Sequence, residues 1–549
     1  RVGTMTEQSA QIGQEQDRRA WLTFLPYIPI VQSRRSCPCC WGRSPLVNMT
    51  CLPEGVQHAF PKRSERSSTR RHSPDPDTGR IYHISESGIL EVRSVKAKVP
   101  AGNTEIHSLA DLLPVAVRRY PQASVTCQGI TLTYEQLWFR SQDWAKELTA
   151  AGVTRGTRVG VLLPNGLDFL CALFAVWEVG GTVLPIHIGY PLPALTTVLA
   201  DMEVETLITN EVHRSDLESY MSSTGIRHLV VVGGALTVIR AQEIAPISER
   251  LEVAGLILLT SGSTGRPKGV QLSHGQVLAN MSAVQDYMAL GPMDRVLIAK
   301  PLTHSSTLVA EALLAFQTGA SLEVLPIFLP GPALAALRNQ NITLFAGVPA
   351  MFRILLRYPE FSQVSPEGIR FAISGETVPP ELILELQRCC PQARLYIGYG
   401  LSEAGPRVSV LLPHEVAQRP QSVGRAIAGV EVWIVDRLGR RLPPGRRGEI
   451  VLRSPSVMMG YTGKAAPTAP IVNGVLRTGD LGYQDADGYL YVVGRTDDMI
   501  TRGGHNVYPR EVESVLLMHP GVEDAMVYGQ YGKYGEQEIH ALVVPRSGA

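Results

Sequence analysis

The sequence has little excess charge of either sign, since its 51 lysines and arginines face 50 aspartates and glutamates. A nucleic-acid-binding protein usually shows a clear basic excess, so this balance indicates no nucleic-acid partner. Cysteine is also scarce, with eight residues in 549, and a disulfide framework is not expected in a chain of this length. With 44% hydrophobic residues the chain can bury a large core, and we expect its partner to be a small molecule.

The sequence also lacks a hydrophobic run that suits a membrane span. The apolar residues 21–31 are too few and too rich in proline for a span or a secretion signal. Residues 159–188 are interrupted by Asn165, Asp168 and Glu178, so we interpret them as a buried strand–helix–strand unit. Without a span, a lipidation motif or a peroxisomal tail, we expect a cytoplasmic protein.

Residues 1–105 differ in composition from the rest of the chain. They include the polar stretch PKRSERSSTRRHSPDPDTGR, which cannot build a core. We expect this segment to be disordered or a non-native extension, in part because the sequence opens with Arg1 instead of methionine. The cluster CPCC at residues 37–40 resembles half of a zinc site, but no second pair of ligands at metal spacing accompanies it, so zinc is not expected.

From His107 onward, strand and helix patterns alternate. TRVGVLLP predicts a strand, DFLCALFAVWEVG a helix and TVLPI the next strand. This alternation predicts an α/β fold, with a large N-terminal domain of helix-covered parallel sheets over residues 106–496. After about Asp436 the pieces become short and hairpin-like, and REVESVLLMHP predicts a helix. We therefore expect residues 497–549 to form a small C-terminal α+β domain that is truncated.

The segment LLTSGSTGRPKGVQLSH joins a predicted buried strand to a run of small and hydroxylated residues. Gly262, Gly265 and Gly269 let backbone N–H groups approach phosphate oxygens, hydroxyls add donors, and Lys268 adds a positive charge. A triphosphate is therefore the expected ligand. The spacing is not that of the Walker loop, because proline and glycine stand where that motif needs glycine and a hydroxyl residue. The candidate phosphate-binding residues are Thr260, Ser261, Gly262, Ser263, Thr264, Gly265 and Lys268.

The ten residues TSGSTGRPKG match the signature TSGSTGxPKG of a known superfamily. The chain here resembles the adenylate-forming enzymes, which include acyl-CoA synthetases, luciferases and peptide-synthetase adenylation domains. Further motifs follow in the superfamily's order, from about His107 to the last residue. The resemblance implies that ATP activates a small-molecule carboxylic acid as its acyl-adenylate, and that a thiol then accepts the acyl group.

The segment YGLSEA, residues 399–404, looks like the superfamily motif YGxTE. The resemblance implies that Tyr399 and Gly400 belong to the nucleotide site, with the tyrosine stacked on adenine. It also implies that Ser402 replaces the usual threonine near phosphate and that Glu403 holds Mg²⁺. Taken alone, Glu403 would be an ordinary surface acid, so its metal role rests on this context.

The downstream motifs concern the ribose and the acceptor thiol. In RTGDLG, the resemblance assigns Asp480 to the ribose hydroxyls, although an aspartate in a turn also serves as a cap. Arg495 matches a ribose-contacting arginine, and Asp497 corresponds to the interdomain hinge. Gly503 and Gly504 resemble the double glycine of acyl-CoA synthetases, which implies coenzyme A or a protein-bound pantetheine as acceptor; a simple loop is the alternative.

Two further motifs depart from the usual pattern. SGET places Gly375, Glu376 and Thr377 where many relatives have a smaller SGGA segment beside adenine. PLTHSS places His304 at the mouth of the acid pocket, although a lone histidine is often structural. We attribute the shape of this pocket to residues around 345–348 and 397–398, and aromatic, fatty and polycyclic acids all remain open. The candidate catalytic residues are Lys268, Glu403 and His304.

The superfamily's C-terminal adenylation lysine is not found in this sequence. Lys533 lies in YGQYGKYGEQE, a different context that we do not equate with it. Losing a charge aimed at the transition state can lower a rate roughly a hundredfold. Three hypotheses follow: an acyl-CoA synthetase, an adenylation protein that loads a carrier-protein thiol, and a nucleotide-binding homologue with impaired catalysis. A luciferase-like oxygenase shares the adenylation chemistry, but no peroxisomal signal supports it.

Overall fold

The computed structural model describes only part of the chain. The described residues are 81–84, 90–93, 105–233, 236–240, 254–260, 267–339, 341–364, 368–464, 466–502, 505–517, 519, 521–531 and 537–546. The cysteine cluster at 37–40 and Lys533 lie outside them. The chain divides into two compact units, Arg1–Lys96 and Ala97–Ala549. In the first unit, strands β1 (Ile81–Ile84) and β2 (Leu90–Arg93) pair antiparallel, within the segment for which the sequence predicted disorder.

The second unit contains both helices and strands. Its further strands are β3 (Ser124–Cys127), β4 (Ile130–Thr133), β5 (Arg158–Leu162), β6 (Thr182–Pro185), β7 (Thr206–Asn210), β8 (His228–Val232), β9 (Leu236–Arg240), β10 (Leu256–Thr260), β11 (Lys268–Leu272), β12 (Arg295–Ile298), β13 (Ser321–Val324), β14 (Leu344–Gly347), β15 (Arg370–Ile373), β16 (Arg394–Tyr399), β17 (Ser409–Leu411), β18 (Arg425–Ala426), β19 (Glu431–Val435), β20 (Gly448–Arg453), β21 (Gly460–Thr462), β22 (Ile471–Val472), β23 (Val475–Gln484), β24 (Leu490–Arg495), β25 (Ile500–Arg502), β26 (His505–Val507), β27 (Val522–Tyr531) and β28 (Gln537–Pro545). The α-helices are α1 (Leu109–Arg119), α2 (Tyr134–Ala150), α3 (Leu167–Glu178), α4 (Leu192–Asp201), α5 (Arg214–Thr224), α6 (His274–Met288), α7 (Ser305–Thr307), α8 (Leu314–Thr318), α9 (Pro330–Asn339), α10 (Pro349–Leu356), α11 (Pro380–Cys389) and α12 (Pro509–Leu517). A π-helix, Leu308–Leu313, joins α7 to α8.

Two large sheets are formed by the strands that the structure describes in this unit. The first has the order β21-β11-β10-β6-β5-β7-β8-β9, and the second has the order β18-β17-β16-β15-β14-β12-β13-β3-β4. Neighbouring strands are parallel from β10 to β8 and from β16 to β3. The outer strands pair antiparallel. The predicted α/β fold with helix-covered parallel sheets is confirmed.

Helix α3 accounts for the apolar stretch at residues 159–188. It joins β5 to the parallel strand β6, as the strand–helix–strand interpretation predicted. All residues of α3 from Phe169 to Trp177 are buried, because the helix contacts β3 of the second sheet as well as β5 and β6 of the first. A segment enclosed on all sides is expected to be apolar throughout. Across the described ranges, no helix has both the length and the hydropathy of a membrane span.

Short antiparallel elements follow the two large sheets, as predicted after Asp436. The strands β19, β20, β22, β23 and β24 form one sheet, and β25–β26 and β27–β28 form two further pairs. Helix α12 packs against β27, which makes this region α+β. Arg357 forms an ion pair with Glu523, so the C-terminal strands contact the large sheet region. A domain boundary at residue 496 remains a prediction, because Ala97–Ala549 is one compact unit.

A buried ion pair lies where the π-helix meets the second sheet. The Nζ atom of Lys300 is 2.7 Å from an Oε atom of Glu311, and the two side chains are 4% and 2% exposed. Burial lowers the pKa of Lys300 and raises that of Glu311, while the attraction between them opposes both shifts. Because an isolated charge is costly in the interior, each side chain depends on the other.

We expect Glu311→Leu to lower the free energy of unfolding by about 3–5 kcal/mol, because Lys300 would keep a buried charge without its partner. Replacing both residues, with Lys300→Met added to Glu311→Leu, is expected to recover most of that loss. Urea unfolding followed by tryptophan fluorescence measures the effect. Lys146→Met is the control, since that side chain is 69% exposed and its loss should barely move the unfolding midpoint. A double variant no more stable than the single one would contradict the dependence of each charge on the other.

Candidate functional site

Lys268 is the first residue of β11 and lies opposite the last residue of β10. In the antiparallel pairing of these strands, Thr260 faces Lys268, so residues 261–267 connect the two strands of a hairpin. The predicted phosphate loop therefore joins two strands, whereas a Walker loop joins a strand to a helix. Residues 261–266 lie outside the described part of the chain, and the cradle of backbone amides stays a prediction.

Gly269 has a packing role beside this loop. It faces Thr462 in the antiparallel pairing of β11 with β21. An added Cβ would lie 2.8 Å from Thr462 and 2.9 Å from the side chains of Ile257 and Met202. Only glycine therefore lets these side chains approach the strand so closely. The sequence interpretation had assigned Gly269 to backbone access for phosphate.

The Lys268 ammonium, the Tyr461 hydroxyl and the Glu403 carboxylate form a polar cluster. Lys268 Nζ donates to the Tyr461 hydroxyl at 2.6 Å and lies 3.2 Å from Glu403 Oε1. The Tyr461 hydroxyl in turn donates to Glu403 Oε1 at 2.8 Å. Burial first, and then the charge of Glu403, raises the pKa of Tyr461, so the hydroxyl keeps its proton. The structure thus brings together Lys268 and Glu403, the two residues that the sequence placed in one site.

Glu403 is held in place through the backbone around it. It lies in a short 3₁₀ helix after β16 and is 9% exposed. The Met458 amide donates to the Glu403 carbonyl at 2.9 Å. The next carbonyl, that of Ala404, accepts hydrogen bonds from the Asn280 amide at 3.2 Å and from the Ser456 hydroxyl at 2.8 Å. These contacts fix the backbone that carries the carboxylate before any ligand arrives.

Three residues predicted to bind the nucleoside also converge. Tyr399 ends β16, and its hydroxyl donates to Asp480 Oδ2 at 2.6 Å. Asp480 of β23 faces Arg495 of β24, with 3.7 Å between Oδ1 and Nη1. Burial raises the pKa of Asp480, and the hydrogen bond from Tyr399 and the charge of Arg495 oppose this rise. Their contacts with adenine and ribose stay predictions.

A cavity of about 250 Å³ is lined by residues on both sides of Glu403 in the chain, from Gly400 to Ser402 and from Pro406 to Arg407. Its wall includes His304, Ser305 and Ser402, and the Ser402 hydroxyl donates to Ser305 at 3.0 Å. His304 is exposed. Burial within the surrounding protein, with smaller contributions from Lys300 and His187, lowers the pKa of His304 to about 4. The imidazole is therefore neutral at pH 7 and offers hydrogen bonds without charge.

Two predicted glycines in the cavity wall are required by the backbone. A Cβ at Gly400 would lie 1.8 Å from the carbonyl oxygen of Pro406, so two backbone segments meet there too closely for any other residue. Gly375 has φ +97°, a conformation that side-chain-bearing residues rarely adopt. Both positions of the wall therefore need glycine.

Glu376 and Thr377 are exposed and lie next to the C-terminal region. Nη1 of Arg510, on α12, donates to the Thr377 hydroxyl at 2.6 Å. Although Glu376 is exposed, the protein around its carboxyl removes part of the water shell and raises its pKa, and the charges of Arg353 and Arg510 oppose this rise. The two residues predicted to lie beside adenine thus face a helix of the small C-terminal region, and their role toward adenine stays a prediction.

Some predicted positions do not form part of the described site. Gly503 and Gly504, expected beside the acceptor thiol, lie outside the described residues, and the expected hinge Asp497 is exposed. Phe345, expected to shape the acid pocket, is fully buried against Phe352 and Phe371 in the core. No cluster of three or more histidine, cysteine, aspartate or glutamate side chains suited to a metal occurs among the described residues.

Two residues at the site were missed by sequence reasoning. Tyr461 lies in β21, opposite Val270 of β11, and only this register places its hydroxyl between Lys268 and Glu403. Arg407 lines the cavity and is 6% exposed. Because Arg407 lies only five residues after Ser402, its closeness to the predicted phosphate segment could have been noticed in the sequence.

Two family models match the chain. The model described as AMP-binding enzyme matches residues 113–462, and the model described as AMP-binding enzyme C-terminal domain matches residues 511–549. Together they cover the residues that build the polar cluster and the cavity, and most of α12 with strands β27 and β28.

Two curated proteins and one solved structure illustrate what the chain is similar to. The chain is 34% identical over 440 residues to the feruloyl-CoA synthase of an Amycolatopsis species, which covers 79% of this chain and 87% of the relative. It is 32% identical over 439 residues to the fatty acid–acyl-carrier-protein ligase ScoC of Streptomyces coeruleorubidus, covering 77% and 84%. The o-succinylbenzoate CoA synthetase of Bacillus subtilis, solved with its acyl-adenylate intermediate, has a TM-score of 0.71 at 27% identity, covering 80% of this chain and 89% of that chain.

Proposed function

The chain belongs to the AMP-binding enzyme family, and on that premise we propose that it is an acid–thiol ligase. It uses ATP to activate a small carboxylic acid as an acyl-adenylate and then forms a thioester with coenzyme A. The observation that carries this proposal is the meeting of Lys268, Tyr461 and Glu403, with Glu403 next in the chain to Ser402 of the cavity wall. A cation and a carboxylate fixed together, with Glu403 directly following Ser402 of the cavity wall, suit the transfer of a phosphate-bearing group.

In the first half-reaction, a carboxylate oxygen of the acid attacks the α-phosphorus of ATP. The bond from that phosphorus to the bridging oxygen breaks, and pyrophosphate leaves with the electron pair. Lys268 holds the β- and γ-phosphates and offsets the charge that develops on the departing pyrophosphate. In the second half-reaction, the thiol sulfur attacks the acyl carbonyl, the bond to the phosphate oxygen breaks, and AMP leaves.

Glu403 fits the role of a magnesium ligand. Mg²⁺ is usually bound through one or two carboxylates together with substrate phosphates, so one carboxylate beside the phosphate-binding lysine is a suitable donor set. When bound, Mg²⁺ supplies positive charge that neutralises phosphate oxygens. The hydrogen bond from Tyr461 to Oε1 and the backbone contact of Met458 keep this carboxylate oriented.

Asp480, Arg495 and Tyr399 are proposed to hold the nucleoside. Their mutual contacts leave the aspartate ready to accept hydrogen bonds from ribose hydroxyls. Ser402 and the neutral His304 would face the α-phosphate and the reacting carboxylate from the cavity wall. Gly503 and Gly504 are proposed to admit a thin pantetheine arm.

A second candidate acceptor is the pantetheine thiol of a carrier protein. The similarity to ScoC, whose name states an acyl-carrier-protein acceptor, favours this alternative. It requires the same adenylation step and differs only in the thiol.

ATP–pyrophosphate exchange over a panel of carboxylic acids tests the proposal. We expect exchange with at least one class of acid, and AMP release on addition of coenzyme A. AMP release with a loaded carrier protein alone would support the second candidate. ATP binding without exchange for aromatic, aliphatic and dicarboxylic acids would contradict the ligase and favour an impaired nucleotide-binding homologue.

A further inference from the structure

Arg407 places a buried positive charge in the wall of the cavity of about 250 Å³. Its residue is 6% exposed, and it lines the cavity together with His304 and Ser402. Arginine is almost never buried to this extent without a partner for its charge. The adenylation chemistry proposed above gives Arg407 no role, so its buried charge requires another explanation.

The charges around Arg407 do not balance it. Within the part of the chain that the structure describes, no carboxylate forms an ion pair with its guanidinium. The buried carboxylate of Glu311 is 2.7 Å from Lys300, and the charges of both Lys300 and Arg407 lower its pKa, so one carboxylate serves two cations. Tyr287 is a neutral neighbour, since burial raises the pKa of its hydroxyl, although Arg407 opposes that rise. The group of Lys300, Glu311 and Arg407 therefore keeps one net positive charge.

The backbone that carries the Arg407 side chain is held in a defined position. The Asn280 side chain forms two hydrogen bonds with this backbone. It accepts one from the Arg407 amide at 3.1 Å and donates one to the Arg407 carbonyl at 2.9 Å. Gly398 leaves room for the guanidinium, since a Cβ there would lie 3.4 Å from Nη1 of Arg407. A cation fixed in this way before a ligand arrives loses little entropy on binding an anion.

We propose that Arg407 binds a second carboxylate on the substrate, so that the chain activates a short dicarboxylic acid. One carboxylate is adenylated near Ser402 and His304, and the other pairs with the Arg407 guanidinium, which suits a carboxylate through two parallel hydrogen bonds. This inference rests on the proposed adenylation. The cavity volume of about 250 Å³ agrees with it, because pockets for larger ligands span about 300–1,000 Å³.

The alternative is that Arg407 contacts the reacting carboxylate or the α-phosphate. Every acid substrate has that carboxylate, so removal of Arg407 would then slow all acids by a similar factor. A contact with the second carboxylate predicts a loss confined to diacids. The ratio of diacid to monoacid kcat/KM therefore separates the two, and a general loss of folding cannot change that ratio.

The test measures ATP–pyrophosphate exchange with malonate, succinate and glutarate against their monomethyl esters. In the wild-type chain we expect kcat/KM for at least one diacid to exceed that of its ester about tenfold to a hundredfold. Arg407→Met is expected to abolish this preference, mainly through KM for the diacid, and Arg407→Lys to restore part of it. Arg388→Met, at an exposed arginine of α11, is the matched control and should keep the wild-type ratio.

The outcomes separate this inference from the function on which it rests. Exchange with monoacids, but with no diacid preferred by the wild-type chain, would overturn the role of Arg407 and leave adenylation standing. An equal loss for diacids and esters in Arg407→Met would overturn it as well. No exchange with any acid, these or a wider panel, would overturn both. If Arg407→Met does not fold, the wild-type kcat/KM values for the diacids and their monomethyl esters serve as the test of a preference for diacids.

Discussion

Lys268→Ala is expected to lower the rate of ATP–pyrophosphate exchange about a hundredfold or more. The ammonium sits at the start of β11, 3.2 Å from Glu403 Oε1, and offers the only positive charge of the Lys268–Tyr461–Glu403 cluster. Removing one preorganised donor that faces developing charge typically costs about 10²–10³ in rate. Because the loss arises in the transition state, kcat should fall more than KM for ATP rises.

Two variants control this experiment. Lys268→Arg keeps the charge but is broader and more weakly hydrated, so we expect partial activity between those of the wild type and the alanine variant. Lys464→Ala removes an exposed lysine that follows β21 closely, and it should leave exchange unchanged. Exchange at the wild-type rate in a folded Lys268→Ala variant would rule out a phosphate role for this lysine.

The fold was predictable where the pattern of apolar residues reflects local burial. Residues 159–188 are apolar almost throughout because α3 is enclosed between sheets and its strands are covered on both faces, so the chain itself indicated a buried strand–helix–strand unit. The order of strands was not predictable in this way. β21 joins β11 across almost two hundred residues, and nothing in the local sequence GYT indicates that pairing.

The site residues also differ in whether the sequence could predict them. Lys268 and Glu403 stand in motifs whose residue types suit phosphate and metal, so they were predicted before any geometry was known. Tyr461 was missed because its role comes from the register of β21 against β11. Phe345 was placed at the acid pocket by its position along the chain, but β14 turns its side chain into the core against Phe352. Packing decides which way a side chain points within a buried strand. A run of apolar residues in the sequence does not predict that direction.

Glu403→Gln is the second substitution with a large expected effect, again about a hundredfold in exchange. Glutamine keeps the size of the side chain and an oxygen that accepts the Tyr461 hydroxyl, which now bonds Oε1 at 2.8 Å. It removes the negative charge that a hard cation prefers. The loss should therefore appear together with a higher Mg²⁺ concentration for half-maximal exchange, which a structural defect alone would not produce.

Exchange measured over a range of Mg²⁺ concentrations at fixed ATP distinguishes these effects. If Glu403 binds the metal, excess Mg²⁺ should recover part of the Glu403→Gln rate, since a weakened site fills at higher concentration. Glu381→Gln, at an exposed glutamate of α11, should follow the wild-type curve. A Glu403→Gln variant that lost activity but kept the wild-type Mg²⁺ dependence would assign this carboxylate to positioning Lys268 and Tyr461, because the same oxygen contacts both.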